Sequence, residues 1–188
     1  MDMHVAEGTL LAASPSMLDP NFMHSVVLIC QHTGDGAYGM VVNRPCEQTT
    51  RQVLDAHELL GKLDFPLFYG GPVGLEALQI LHRVPEEIPG GVPLLDDLWV
   101  GGDLDTMAEY VTSNPEQAID RVRLVIGYSG WGAGQLDVEL VSGSWLPAPG
   151  SSEKILARDT SSLWRDVLRS LGEEAQGLGD QPPDPSWN

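Results

Sequence analysis

Few side chains in this sequence stand at spacings that chemistry needs, and each has a structural rival. Ser129, in the run GYSGW, sits where a hydrolase nucleophile elbow holds its serine, but Trp131 takes the fifth position, which that turn reserves for glycine. His82 is the last of five histidines, so no Asp and His follow in the order that such a fold requires. Asp137 and Glu139, on a short helix expected from Gln135 to Val141, offer an acid/base pair with His82 as imidazole partner. With 27 acids in the chain, an ordinary solvated face is the stronger reading. Cys46 is the candidate thiol, because Arg44 is the one nearby cation that could lower its pKa; Cys30, inside VVLIC, reads as a small core hydrophobe. Neither cysteine belongs to a CxxC motif. His24 and His32 flank one strand, and regular alternation puts Cys30 on the face of His32. Two ligands are too few for zinc, so no metal or cofactor is expected.

Binding groups are easier to place than reacting ones. Gly34, Gly36 and Gly39 spell GxGxxG, yet another strand, GMVVN, follows them where a dinucleotide site needs a helix N-terminus. A hairpin turn is the better reading. Asn43, Arg44 and Pro45 end a strand, where a fixed guanidinium can grip a carboxylate or phosphate; the rival is a structural salt bridge. Gly70, Gly71 and Pro72 form a second turn, in YGGPV. Trp131 to Gln135 form a third glycine-rich segment, whose indole is either a mobile aromatic platform or a plug at the edge of the core. These residues make up the candidate ligand or partner surface, with Cys46, His82 and Glu139 as the weaker reactive candidates.

The elements that must position them follow from pattern and punctuation. Ser25 to His32 is a near-continuous apolar run and reads as a buried strand, paired across the glycine turn with Gly39 to Val42. Thr49 or Thr50 caps a helix expected through Leu60, with Gly61 at its stop. Phe65 to Phe68, Ala77 to Val84, Leu98 to Val100 and Val122 to Ile126 read as further strands. A helix begins near Asp103 and stops before Pro115, and Ser161 to Leu171 is an amphipathic helix with Gly172 behind it. The result is α+β: a mixed sheet curled into a pseudo-barrel with flanking helices. Residues 1–172 form one domain, and 173–188, acidic and containing Gly and Pro, read as a disordered tail.

Composition narrows the function classes. The 188 residues carry 27 acidic against 10 basic side chains, a formal net charge of −17. Such a field repels phosphate backbones and disfavours direct DNA binding. No apolar run approaches the roughly 20 residues of a membrane span, and the N-terminus lacks the basic region of a signal peptide. A cytoplasmic protein is expected.

Several quoted segments together resemble the YqgE/AlgH family of bacterial proteins. They are GTLLAASP from Gly8, Asp19 and Phe22 ahead of SVVLICQH, GAYGMVVNRP from Gly36, YGGPV with Leu81 and His82 behind it, GYSGWGAGQLDVEL into Trp145 and Leu146, and the last helix with Trp164 and Arg165. The resemblance runs from about Gly8 to Gly172. It implies an α+β fold with a bifurcated sheet folded into a pseudo-barrel, and it brings no established catalytic residues. It also carries the label of transcriptional regulator, which came from a genetic link between one member and alginate production. No basic recognition helix accompanies that label here. The leading expectation is a non-enzymatic regulatory or interaction protein that takes a protein partner or small ligand. The alternatives are a hydrolase or transferase of unknown substrate and a direct nucleic-acid binder.

Overall fold

The computed structural model describes residues 5–174, so all but the first two residues of the predicted tail lie outside the described residues. The apolar segments pair as β1 (Leu10–Ala13), β2 (Val26–Thr33) and β3 (Gly36–Val41), with β10 (Trp145–Ala148) against the outer edge of β1. The Gly34–Asp35 connection makes β2 and β3 a hairpin, as the glycine pattern predicts. A second group contains β4 (Pro45–Thr49), β5 (Pro66–Tyr69), β6 (Val73–His82), β7 (Val92–Leu95) and β8 (Leu98–Val100). The long strand β9 (Val122–Trp131) belongs to both groups. Its first half pairs with β5 and β6, and its second half, Ser129 to Trp131, pairs with β3.

The main path runs β10-β1-β2-β3-β9-β6-β8-β7 and is antiparallel; β5 beside β9 is the parallel exception. Curling brings β7 close to Gly8, where a Cβ would lie 2.6 Å from the Leu94 carbonyl oxygen. No ladder joins β7 to β10, so the sheet stays open where the sequence reading expects a pseudo-barrel.

Helices cover the sheet. α6 (Leu163–Glu174) buries Leu163, Trp164, Val167 and Leu168 against β1 and β2, and Trp164 Nε1 donates to the Ala13 carbonyl at 2.8 Å. The helix runs through Gly172, two residues beyond its expected stop. The opposite face of β1 to β3 is closed by α4 (Gln135–Val141), through Leu136 and Leu140. α2 (Leu104–Ser113), capped by the Asp103 carboxylate on the Thr106 amide at 2.9 Å, packs with α3 (Pro115–Ala118) over β5, β6 and β9. α5 (Ser152–Ile155) links β10 to α6.

One expected element needs correction. The helix expected from Thr49 to Leu60 is one turn, α1 (Thr50–Val53), followed by a 3-10 turn at Leu60–Lys62. There the His57 ring accepts from the Leu59 and Leu60 amides and replaces helical hydrogen bonding. β7, which the sequence pattern does not predict, holds Pro93 at the sheet edge, where a residue without an N–H is tolerated. GYSGW forms the second half of β9.

Candidate functional site

YGGPV meets β3 and the GYS part of β9 at backbone level. Gly70 donates to the Ile126 carbonyl at 2.8 Å and accepts from the Val41 amide at 2.9 Å, which ties YGGPV to β9 and β3 together. Gly71 (φ 148°) and Gly127 (φ 76°) adopt conformations that side chains avoid, and a Cβ on either would strike backbone of the other segment. The Ser129 hydroxyl, fully buried, donates to the Gly70 carbonyl at 3.1 Å. This junction is where β9 passes from one strand group to the other; Pro72 is exposed at its rim.

Asn43 and Arg44 hold the loop between β1 and β2. Asn43 accepts from the Val26 amide at 2.9 Å and donates to the His24 carbonyl at 3.0 Å. The Arg44 guanidinium donates to the Asn21 carbonyl and, at 2.7 Å, to that of Met23. Burial lowers its pKa, with Tyr69 and Asp19 nearby acting in the opposite direction. The loop is thus pinned by two side chains through its carbonyls. His24, at φ 62°, lays its ring against Trp164, centroids 4.4 Å apart.

Trp131 is 7% exposed and therefore part of the core. Its ring packs against Phe22 and Trp145, at 6.4 and 6.0 Å between centroids. Its Nε1 donates to Glu139 at 3.2 Å, and Trp145 Nε1 donates to the same oxygen at 3.0 Å. Gln135 turns back to accept from the Gly132 amide at 3.0 Å. Gln135 and Glu139 thereby shape the start of α4 and fasten it to the sheet, while Phe22 brings the loop down on the same indoles. Leu18 (80% exposed) and Met23 are exposed on the loop, and Val138 (68%) and Val141 (74%) on α4. The sequence reading missed these four. Val138 and Val141 lie three apart and off the Leu136/Leu140 stripe, a pattern legible in the helix itself.

The reactive candidates are dispersed. His82 is fully buried, with Nδ1 accepting from the Val84 amide at 3.2 Å and Nε2 donating to the Gly101 carbonyl at 3.1 Å; burial lowers its pKa. The imidazole beside Asp137 is instead His32, whose Nε2 lies 3.3 Å from Oδ1 while Nδ1 faces the Val5 carbonyl at 2.8 Å. Burial pushes the Cys46 thiol up, and Arg44 is committed to carbonyls rather than to sulfur. Cys30, pushed up to about 12 by burial, sits in the core under α6.

Cys30 and His32 do not share a face. Register shifts between Ile29 and Gln31, where two steps on β2 match one on β3, and this bulge turns His32 toward α4.

Comparison with known proteins agrees with this architecture. The AlgH-like family model matches residues 10–176. A UPF0301 protein of Chlorobaculum tepidum is 35% identical over 181 residues, covering 96% of this chain and 95% of its own. One from Cytophaga hutchinsonii is 35% identical over 187 residues, covering 98% and 100%. Among solved structures, the AlgH protein of Pseudomonas aeruginosa superposes with TM-score 0.68 at 25% identity, over 95% of both chains. A Corynebacterium diphtheriae protein gives TM-score 0.72 at 23% identity, over 97% of this chain and 90% of that one, a likeness of fold.

Proposed function

This chain belongs to the AlgH-like family, and we propose that it acts in the cytoplasm as a non-enzymatic regulatory protein that captures a basic protein partner. The capture face is the loop of residues 14–24 together with α4. The observation that carries this reading is that the loop and α4, linked through Phe22, Trp131 and Glu139, both expose apolar side chains: Leu18 and Met23 on the loop, Val138 and Val141 on α4. Exposed apolar groups on packed elements suit a protein interface. The loop and α4 hold three carboxylates, Asp19, Asp137 and Glu139, and no Lys or Arg. Charge complementarity therefore asks for a basic rim on the partner and disfavours nucleic acid and anionic lipid. Asn43, Arg44, Trp131 and Gln135 serve as supports beneath the face rather than as its contacts.

The enzymatic alternative is less favoured. His82, Glu139 and Cys46 stand on different elements, and the first two are spent on structural hydrogen bonds.

The test is a partner screen with the parent protein, Leu18→Asp/Val138→Asp and a control, Val92→Asp. The expected result is a discrete set of basic proteins, released by salt, held by parent and control but lost from the double variant at unchanged melting temperature. Equal retention by the double variant overturns the reading.

A further inference from the structure

Arg123 lies in β9 and is 4% exposed, the one arginine in the buried class among the described residues. Its NH1 donates to the Ile155 carbonyl at 2.9 Å and its NH2 to that of Ala157 at 2.8 Å, while the guanidinium carbon sits 3.9 Å from the centre of the Phe68 ring. Among the described residues no carboxylate forms an ion pair with it. A buried charge is costly unless paired, and carbonyl dipoles with a ring face offset only part of that cost. A guanidinium has five N–H donors; among the described residues Nε meets no acceptor, yet it is not a fully buried donor, since Tyr110 OH is the one buried side-chain polar atom left without a partner there. Although burial lowers its pKa to about 10, Arg123 is cationic at neutral pH.

Beside it is a cavity of about 90 Å³ lined by Phe65, Pro66, Phe68, Ile119, Val122, Arg123 and Arg158. Arg158 is already neutralised: its Nε and NH2 donate to the two oxygens of Asp120 at 2.6 and 2.8 Å. The lining thus contains one cation without a counter-charge, apolar walls, and no carboxylate. At roughly 10–15 Å³ of such space per water the cavity holds several, enough for a ligand of a few non-hydrogen atoms.

We propose that this cavity binds a small organic monocarboxylate, whose carboxylate accepts hydrogen bonds from Arg123 while its short apolar end packs against Phe65, Ile119 and Val122. One uncompensated charge matches a monoanion, and a planar carboxylate matches the fork of a guanidinium. Inorganic phosphate fits poorly, because apolar walls leave most of its oxygens without donors.

The experiment follows the Arg123 Nε–H resonance in the full chain during titration with acetate, propionate and butyrate at constant ionic strength, against chloride and inorganic phosphate. Propionate or butyrate should shift it saturably. Affinity should fall at least ten-fold in Ile119→Trp, which fills the cavity and leaves the cation in place, and in Arg123→Met followed through neighbouring amides. If Arg123→Met does not fold, Ile119→Trp alone decides. Three outcomes overturn the site: no saturable shift with any carboxylate, saturation by phosphate alone, or undiminished binding by Ile119→Trp.

Discussion

Glu139 and Arg123 are two ions held by neutral dipoles, with no opposite charge paired to either among the described residues. Glu139 accepts from two indole N–H groups and keeps partial contact with water. Arg123 donates to two carbonyls and is almost wholly removed from water. The carboxylate therefore shares its charge with solvent and serves as a clasp between α4 and the sheet. The guanidinium has donors left over beside a small cavity, where a ligand can take them up. Two similar hydrogen-bond patterns thus lead to different roles, and the deciding variable is exposure.

The largest effect expected from breaking this comparison is at Arg123. Arg123→Met strands the Ile155 and Ala157 carbonyls, each at a cost of about 1–3 kcal/mol, partly offset because a desolvated charge disappears with them. Urea unfolding should show a net loss of about 2–4 kcal/mol. A variant as stable as the parent would mean that the guanidinium is architecturally dispensable, and the contrast with Glu139 would then rest on ligand binding alone.

Glu139 should respond less and in a way that separates charge from acceptor. Glu139→Ala leaves two indole donors without a partner in a partly wet site, a loss of about 1–2 kcal/mol, whereas Glu139→Gln keeps an acceptor oxygen and should lose under about 1 kcal/mol. Equal losses in the two variants would make the charge the active ingredient and dissolve the distinction drawn here.

The legibility of these features in the sequence follows how local their causes are. The β2–β3 hairpin, the Asp103 cap and the amphipathic face of α6 each rest on residues within a few positions of one another, and each was read correctly. The α1 region was misread because its pattern is helical, while a ring nitrogen of His57 captures the amides needed to continue the helix. The bulge at Cys30 leaves no compositional mark, and it moved His32 from an imagined cysteine partner to Asp137. Trp131 carried both readings, platform and plug; tertiary contacts with Phe22 and Trp145 decided for the plug. The role of Arg123 within VRLVI has no local mark, since its carbonyl partners lie more than thirty residues away.

The smallest effect sharpens the comparison from the neutral side. His82 is as buried as Arg123 but uncharged, with one nitrogen accepting and the other donating to backbone. Its pKa lies below the ordinary 6.5 chiefly because burial opposes the imidazolium, an effect only partly offset by the Gly101 carbonyl and Glu86. The unfolded chain therefore binds a proton more readily than the folded one. Stability from this group is complete above about 6.5 and falls as pH drops from there through the depressed folded value. Urea midpoints measured from pH 7.5 downward should decline across that window, and the decline should flatten in His82→Gln, which keeps a donor for Gly101 and has no proton to gain. An unchanged slope in that variant would assign the acid sensitivity to the many surface carboxylates. His82 would then be a buried group whose protonation the fold tolerates.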